Sequence, residues 1–303
     1  MPFSDQYRRQ VTLLIRVVPL VAQEDCFALK GGTAINLFVR DLPRLSVDID
    51  LTYLPVQPRD QSLKEIETAL TRIAGRIKAQ IGGCQVTEGL TEGRVNKLFV
   101  QLGAATVKIE VTPVLRGCVY PAKKQSVTDT VEDEFGFAEI QVVSHADLYA
   151  GKLVAALDRQ HPRDFFDVRD LLANEGITDD LRKAFVVYML SHHRPMAEVL
   201  DPPRRAMKED YEHGFVGMTE EPVPLTELEA TREEMIKAIV ADMPDAHRKF
   251  LVSFEQGAPE WDLLGLPGVP DLPAVKWRQL NLDKLPKEKR AALTAALKKA
   301  LGV

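Results

Sequence analysis

Ser46-Val47-Asp48-Ile49-Asp50-Leu51-Thr52-Tyr53 alternates polar and apolar residues without a break. That alternation is the pattern of a half-buried strand. Val47, Ile49 and Leu51 turn to one side, and Ser46, Asp48, Asp50 and Thr52 to the other. Asp48 and Asp50 therefore share a face, about 6.6 to 7 Å apart along the chain. Two neighbouring carboxylates are costly to bury without a counter-charge, and hard oxygen ligands suit Mg²⁺. A solvated strand face with two exposed aspartates is the plainer reading of the same residues. About fifteen residues upstream, Lys30-Gly31-Gly32-Thr33 stands between an apolar, strand-like Phe27-Ala28-Leu29 and a short helical stretch from Thr33 to Val39. Glycine lets backbone N–H groups approach a phosphate, and a helix N-terminus favours negative charge. The plainer reading is a tight strand-to-helix turn with Thr33 as its cap. The turn lacks the GK[ST] ending of a P-loop and the GxGxxG of a dinucleotide fold.

A second alternating run, Thr106 to Pro113, sets Lys108, Glu110 and Thr112 on one side and Val107, Ile109 and Val111 on the other. Glu110 is thus a candidate third carboxylate beside Asp48 and Asp50. Three such groups on adjacent strands can hold two metals, one for the attacking oxygen and one for the leaving pyrophosphate. Further strands are expected over 93–102 and 138–142, and amphipathic helices over 5–23, capped by Ser4, and 61–81. From Ser144 the period becomes helical. This predicts an α+β fold with a mixed sheet and flanking helices over 1–143, followed by a mainly helical domain over 144–303.

Composition bounds the rest. The 303 residues carry 39 Lys+Arg against 44 Asp+Glu, a formal charge of −5, with 45% apolar residues. Global disorder and a uniformly basic nucleic-acid binder are excluded, whereas a local basic patch is not. Residues 201–260 hold 14 acidic and 7 basic groups, and 276–303 hold 8 basic and 2 acidic. The basic tail reads either as a track for RNA phosphates or as a solvated terminal helix, and Trp277 as a packing anchor. The apolar stretch 11–22 is broken by Arg16 and Pro19 and is too short to span a bilayer. It also makes a poor signal peptide, with Asp5 before it. Three scattered cysteines with no CxxC spacing point away from zinc and disulfides, and toward a reducing cytoplasm.

One more constellation runs from His145 through Lys152, Ala155 and Arg159 to Arg163-Asp164-Phe165-Phe166-Asp167-Val168. Lys152 and Arg159 are seven apart, hence on one helical face. Pro162 breaks the pattern, and Arg163 and Asp164 open a second helix. Cations and an aspartate gathered at a helix break suit triphosphate contacts or, equally, an internal ion-pair network.

The Gly-Gly-Thr turn followed by the DxD strand resembles the nucleotidyltransferase superfamily related to DNA polymerase β. With Leu29-Lys-Gly-Gly-Thr-Ala-Ile35, Ser46-Val-Asp-Ile-Asp-Leu51, the Lys152–Arg159 helix and Arg163-Asp-Phe-Phe-Asp-Val168, the chain resembles the AbiEii/AbiGii toxin family over roughly 27–172. Ile35 and Val168 stand where that family carries leucine. The resemblance implies the toxin of a two-gene toxin–antitoxin system, in several members linked to abortive phage defence. It implies Mg²⁺-dependent transfer of a nucleoside monophosphate from an NTP, and a separately encoded antitoxin with a DNA-binding domain. Its first acceptor is RNA at the tRNA 3′ end, which blocks translation. On that basis Asp48, Asp50 and Glu110 would hold metal, with Glu110 also activating the acceptor hydroxyl. Gly32 and Thr33 would hold the β/γ-phosphates, with Gly31 in the same nucleotide-binding turn. Lys152 would neutralise triphosphate charge, and Asp164 would act as a base or metal-shell group. Lys30, Arg159 and Arg163 would add phosphate contacts. Transfer to a small molecule such as an antibiotic, transfer to a protein side chain, and a catalytically inactive interaction protein are the alternatives.

Overall fold

The computed structural model describes residues 3–91 and 93–303. The chain divides into two compact units, Met1–Ser144 with Val216–Pro222, and His145–Phe215 with Val223–Val303.

The first unit is a mixed α/β layer. Its elements are α1 (Asp5–Val21), β1 (Phe27–Lys30), α2 (Gly31–Ala34, continuing as a wider helical turn over Ile35–Val39), β2 (Asp48–Tyr53), α3 (Arg59–Gln80), β3 (Gln85–Thr91), β4 (Arg94–Leu102), β5 (Ala105–Arg116), β6 (Lys123–Ser126), α4 (Asp129–Phe135) and β7 (Glu139–Val142). Seven strands form one sheet in the order β3-β4-β5-β2-β1-β7-β6. β2 runs parallel to β5 and antiparallel to β1. The DxD strand therefore lies in the sheet interior, with partners on both sides.

The alternating pattern decides which face is buried. Ile49, Leu51, Val107, Ile109 and Val111 are fully buried. Each such side chain contributes about 1.5 to 3 kcal/mol relative to exposure. α1 packs on β5 and β7, and α3 on β4. α1 brings Val11, Leu14, Ile15 and Val18 inward, and α3 brings Leu63, Ile66, Leu70, Ile73 and Ile77, at helical spacing. Ser4 occupies the N-cap position of α1, yet its side chain accepts no capping hydrogen bond. Its backbone N–H instead donates to Gly217, and Leu45 N–H donates to Met218. These two bonds hold the returning segment Val216–Pro222 to the first unit.

The second unit is helical: α5 (His145–Arg159), α6 (Pro162–Asn174), α7 (Asp179–Leu190), α8 (Met196–Leu200), α9 (Lys208–Gly214), α10 (Leu225–Ile236), α11 (Asp245–Glu255), α12 (Pro273–Asp283) and α13 (Lys287–Leu301). α5 packs on α7, α6 on α10, and α13 on α8 and α11. The basic tail is thus an amphipathic helix that buries Thr294, Leu297 and Leu301 and turns its lysines outward. Trp277 is not a packing anchor: it is 59% exposed. α12 buries Ala274, Val275 and Leu282, and Trp277 falls outside that arc. Trp261 makes the aromatic contacts, with its ring centroid 5.2 Å from Phe250 and 6.0 Å from Phe254. Among the described residues no helix is long and apolar enough to cross a membrane, and no disulfide joins the cysteines.

Candidate active site

On the sheet face opposite the core, strand register lines up a row of charge. Lys30 on β1 pairs with Asp50 on β2, Asp50 with Glu110 on β5, and Glu110 with Lys97 on β4. One step along, Asp48 pairs with Lys108. Directly opposed residues on neighbouring strands share a face and interact across it. Three carboxylates and three ammonium groups thus lie within four adjacent strands.

Glycine makes the approach to Asp50 possible. Gly31 has φ +74°, and a Cβ there would stand 2.7 Å from Asp50 Oδ2. The turn thus passes so close to the carboxylate that a side chain at position 31 would have no room beside it. A Cβ on Gly32 would meet Arg44 Nη2 at 2.7 Å and Ser46 Oγ at 3.0 Å. Arg44, only 2% exposed, thus lies against the turn. Thr33, expected to offer its hydroxyl to a phosphate, is 1% exposed. Its Oγ1 donates to the Asp48 carbonyl and lies 3.0 Å from Ser46 Oγ. That hydroxyl ties the turn to the first residue of the DxD strand, so Thr33 positions the carboxylates.

Glu110 is held on both oxygens: Lys97 Nζ is 2.9 Å from Oε1 and Lys108 Nζ 2.8 Å from Oε2. Burial alone would raise the Glu110 carboxyl, but bonding and charge from Lys108 and Lys97 outweigh it and hold it below the usual carboxylate range. Burial pulls the Lys108 ammonium down. Its bond to Glu110 and the charges of Asp48, Asp50 and Glu110 reverse that and raise it. Lys30 donates to Thr112 Oγ1 at 2.8 Å, and there burial wins over Asp50 and Glu110, lowering its pKa. Among the described residues no three His, Cys, Asp or Glu side chains gather as a metal-holding group. Asp48 and Asp50 share their face, while Glu110, beside Asp50 in register, is spent on the two lysines. The donor set of Asp48 and Asp50 is hard oxygen, which fits a divalent cation such as Mg²⁺.

The second unit gathers the other group of expected site residues. α5 ends at Arg159, and Gln160 turns the chain at φ +51°. Pro162 starts α6 at a position where its missing N–H is no loss. His161 caps that helix, its Nδ1 accepting from Arg163 N–H at 3.1 Å. Burial and Arg163 push the His161 imidazole down to about 4. This geometry sets α6 beside α5, so that Lys152 Nζ reaches Asp164 Oδ1 at 3.1 Å and Asp167 Oδ2 at 2.8 Å. Arg159 grips Asp164 bidentately, at 2.6 and 2.7 Å. Asp164 is fully buried, which alone would raise its carboxyl, but Lys152 and Arg159 hold it far below the usual range. Asp164 is thus bonded to both cations and holds them side by side. Lys152 is itself buried, whereas the Arg159 side chain is 59% exposed.

Sequence reasoning passed over Lys97 and Arg44; it paired Asp167 with Arg163 at i,i+4 and did not foresee the Lys152 ammonium at 2.8 Å. Lys108 stands two residues before Glu110 on the same strand face, a signal visible in the alternation itself. Lys97 emerges only from the hairpin register of β4 and β5.

The family model described as nucleotidyl transferase AbiEii toxin, type IV toxin–antitoxin system, matches residues 12–277. No curated protein sequence matches the chain. Among solved structures, MenT4, the nucleotidyltransferase toxin Rv2826c from Mycobacterium tuberculosis H37Rv, aligns with a TM-score of 0.63 at 17% identity. The alignment covers 91% of this chain and 93% of that one, a likeness of fold. With the match spanning most of its length, the chain belongs to the AbiEii nucleotidyltransferase toxin family of type IV toxin–antitoxin systems.

Proposed function

We propose that this toxin transfers a nucleoside monophosphate from an NTP to an RNA acceptor, in the first instance the tRNA 3′ end, and so blocks translation. The observation that carries the transfer reading is the contact between the Gly31 turn and the Asp50 carboxylate, with Asp48 on the same strand face. A turn that can receive phosphates beside paired carboxylates is the arrangement that phosphoryl-type transfer needs. The RNA acceptor rests on the family resemblance and on nothing else.

Asp48 and Asp50 would hold Mg²⁺, which when bound offsets phosphate charge and favours departure of pyrophosphate. Backbone N–H groups of the Gly31–Gly32 turn would receive the phosphates, and Lys30 would supply a nearby cation. Thr33 keeps the turn in register with the carboxylates. Once Lys97 and Lys108 release it, Glu110 would join Asp48 and Asp50 at the cation and take up the proton of the acceptor hydroxyl there. In the second unit, Arg159 presents a guanidinium edge for an anion, with Arg163 at the start of α6. Asp164 and Asp167 hold Lys152 and Arg159 in place, which leaves Lys152 a weaker candidate for direct phosphate contact. Such transfers depend mainly on positioning and charge. The protein would act in the cytoplasm, where NTPs and tRNA are present, and be restrained by a separately encoded antitoxin with a DNA-binding domain.

The test uses NTPs labelled at the α-phosphate, each with total RNA, aminoglycosides or lysate proteins. Label in RNA at a sequenced tRNA 3′ end is the expected result. Label in antibiotic or protein would replace the acceptor, and no incorporation with any of them would refute transfer.

A further inference from the structure

Glu110 on β5 sits between Lys97 of β4 and Lys108 of its own strand. Each of its oxygens takes a different ammonium, Lys97 at 2.9 Å and Lys108 at 2.8 Å. Lys108 is also the register partner of Asp48. Its position on β5, between the Asp48 row and the Glu110 side chain, is where a cation bridging the carboxylates would be stabilised. Along the strand register Asp48, Asp50 and Glu110 meet Lys30, Lys97 and Lys108 one for one, and the Arg44 guanidinium lies against the adjoining turn. A divalent cation added to this face would leave a surplus of at least two positive charges in a half-buried site, unless lysines swing away. Lys97 and Lys108 have side chains 33% and 31% exposed, so both ammonium groups have a route to water.

We propose that Lys97 and Lys108 form a latch on Glu110 that keeps it out of the metal's ligand set, and that they compete with the divalent cation for this carboxylate. The proposal rests on the reading of Asp48 and Asp50 as metal ligands. Lys97 and Lys108 are positioning residues in this scheme, since they act through Glu110. Releasing them adds a third oxygen ligand and removes two repelling charges at once. The latch thereby sets how much metal the protein needs before its carboxylates come together. It also explains why three carboxylates on adjacent strands do not gather in this structure.

The test is Mn²⁺ binding to the full chain, followed by the loss of free-ion EPR signal and without nucleotide or RNA. Wild type is compared with Lys97→Met, Lys108→Met, their combination, that combination with Glu110→Gln, Lys108→Arg, Glu110→Gln and Asp48→Asn, each checked for an unchanged melting curve. The combined lysine variant is expected to bind Mn²⁺ about a hundredfold tighter when Glu110 is present. It should bind only about tenfold tighter in the Glu110→Gln background, where lost repulsion acts alone. Either single lysine variant should show the same direction, and Lys108→Arg should stay near wild type. Equal tightening with and without Glu110, or none, overturns the latch while leaving the metal reading standing. Mn²⁺ binding that Asp48→Asn does not weaken overturns the metal reading itself, and the latch with it.

Discussion

Gly31→Ala probes the joint between the turn and the DxD strand. At φ +74° the glycine occupies the left-handed region, which costs an L-residue about 1 to 2 kcal/mol. The added Cβ would also stand 2.7 Å from Asp50 Oδ2, well inside ordinary van der Waals contact, so the carboxylate must move by several tenths of an ångström. For a unit of this size the backbone term alone predicts a fall in Tm of about 2 to 8 °C. Displacement of a reacting or ligating group on the scale of 1 Å removes roughly a hundredfold in rate. The expected result is therefore a modest loss of stability with a loss of transfer near a hundredfold and weakened Mn²⁺ binding. Gly32→Ala is the companion. Its glycine has no left-handed backbone to lose, and its Cβ meets the tip of Arg44 at 2.7 Å. It should perturb the turn without moving Asp50. Calorimetry, the α-phosphate transfer assay and Mn²⁺ titration measure the three quantities. A Gly31→Ala protein with wild-type Tm and wild-type Mn²⁺ affinity would refute the contact reasoning.

Further outcomes follow from the second unit. Asp164→Asn removes one carboxylate from a buried set that holds Lys152 and Arg159, and should lower unfolding free energy in urea by about 3 to 5 kcal/mol. His161, held down to about 4, stays neutral in the fold while an unfolded histidine titrates near 6.5. The folded pKa is depressed by burial and by the neighbouring Arg163 charge, so the unfolded chain takes up the proton first and stability falls as pH drops from about 6.5 toward 4. Allowing for solvent screening, the change is about 1 to 2 kcal/mol, and His161→Asn should flatten that limb of a pH-dependent melting series. Trp277→Ala should change stability by less than about 0.5 kcal/mol, whereas Trp261→Ala, which removes the ring contacts to Phe250 and Phe254, should cost about 1 to 3 kcal/mol.

The strands with strict alternation were legible because one face must be dry. Ser46 to Tyr53 and Thr106 to Pro113 read directly as β2 and β5, and their shared carboxylate face followed. The exposed edge strands β3 and β6 were not legible, because few of their side chains are buried and no alternation survives. The short α4, with only Val131 buried, was missed for the same reason. The return of Val216–Pro222 to the first unit, seen in two backbone hydrogen bonds and the burial of Met218 and Thr219, is too short to carry a periodic pattern. Within the candidate site, single-strand spacing placed Asp48, Asp50 and Glu110. What holds Glu110 depends on which strand lies beside β5, and Lys97 became visible only with that register. The Lys152–Arg159 and Asp164–Asp167 spacings left triphosphate contact and internal ion pairing open, and the geometry shows the ion pairs.

The central claim is tested most directly by incubating the purified protein with each α-labelled NTP and deacylated tRNA, with Asp48→Asn and Asp50→Asn in parallel. Wild type should extend the tRNA 3′ end with release of one pyrophosphate per nucleotide, and both variants should lose this by at least a hundredfold while keeping wild-type melting curves. Transfer that persists undiminished in Asp48→Asn and Asp50→Asn, or no transfer by wild type to any acceptor, would contradict the account.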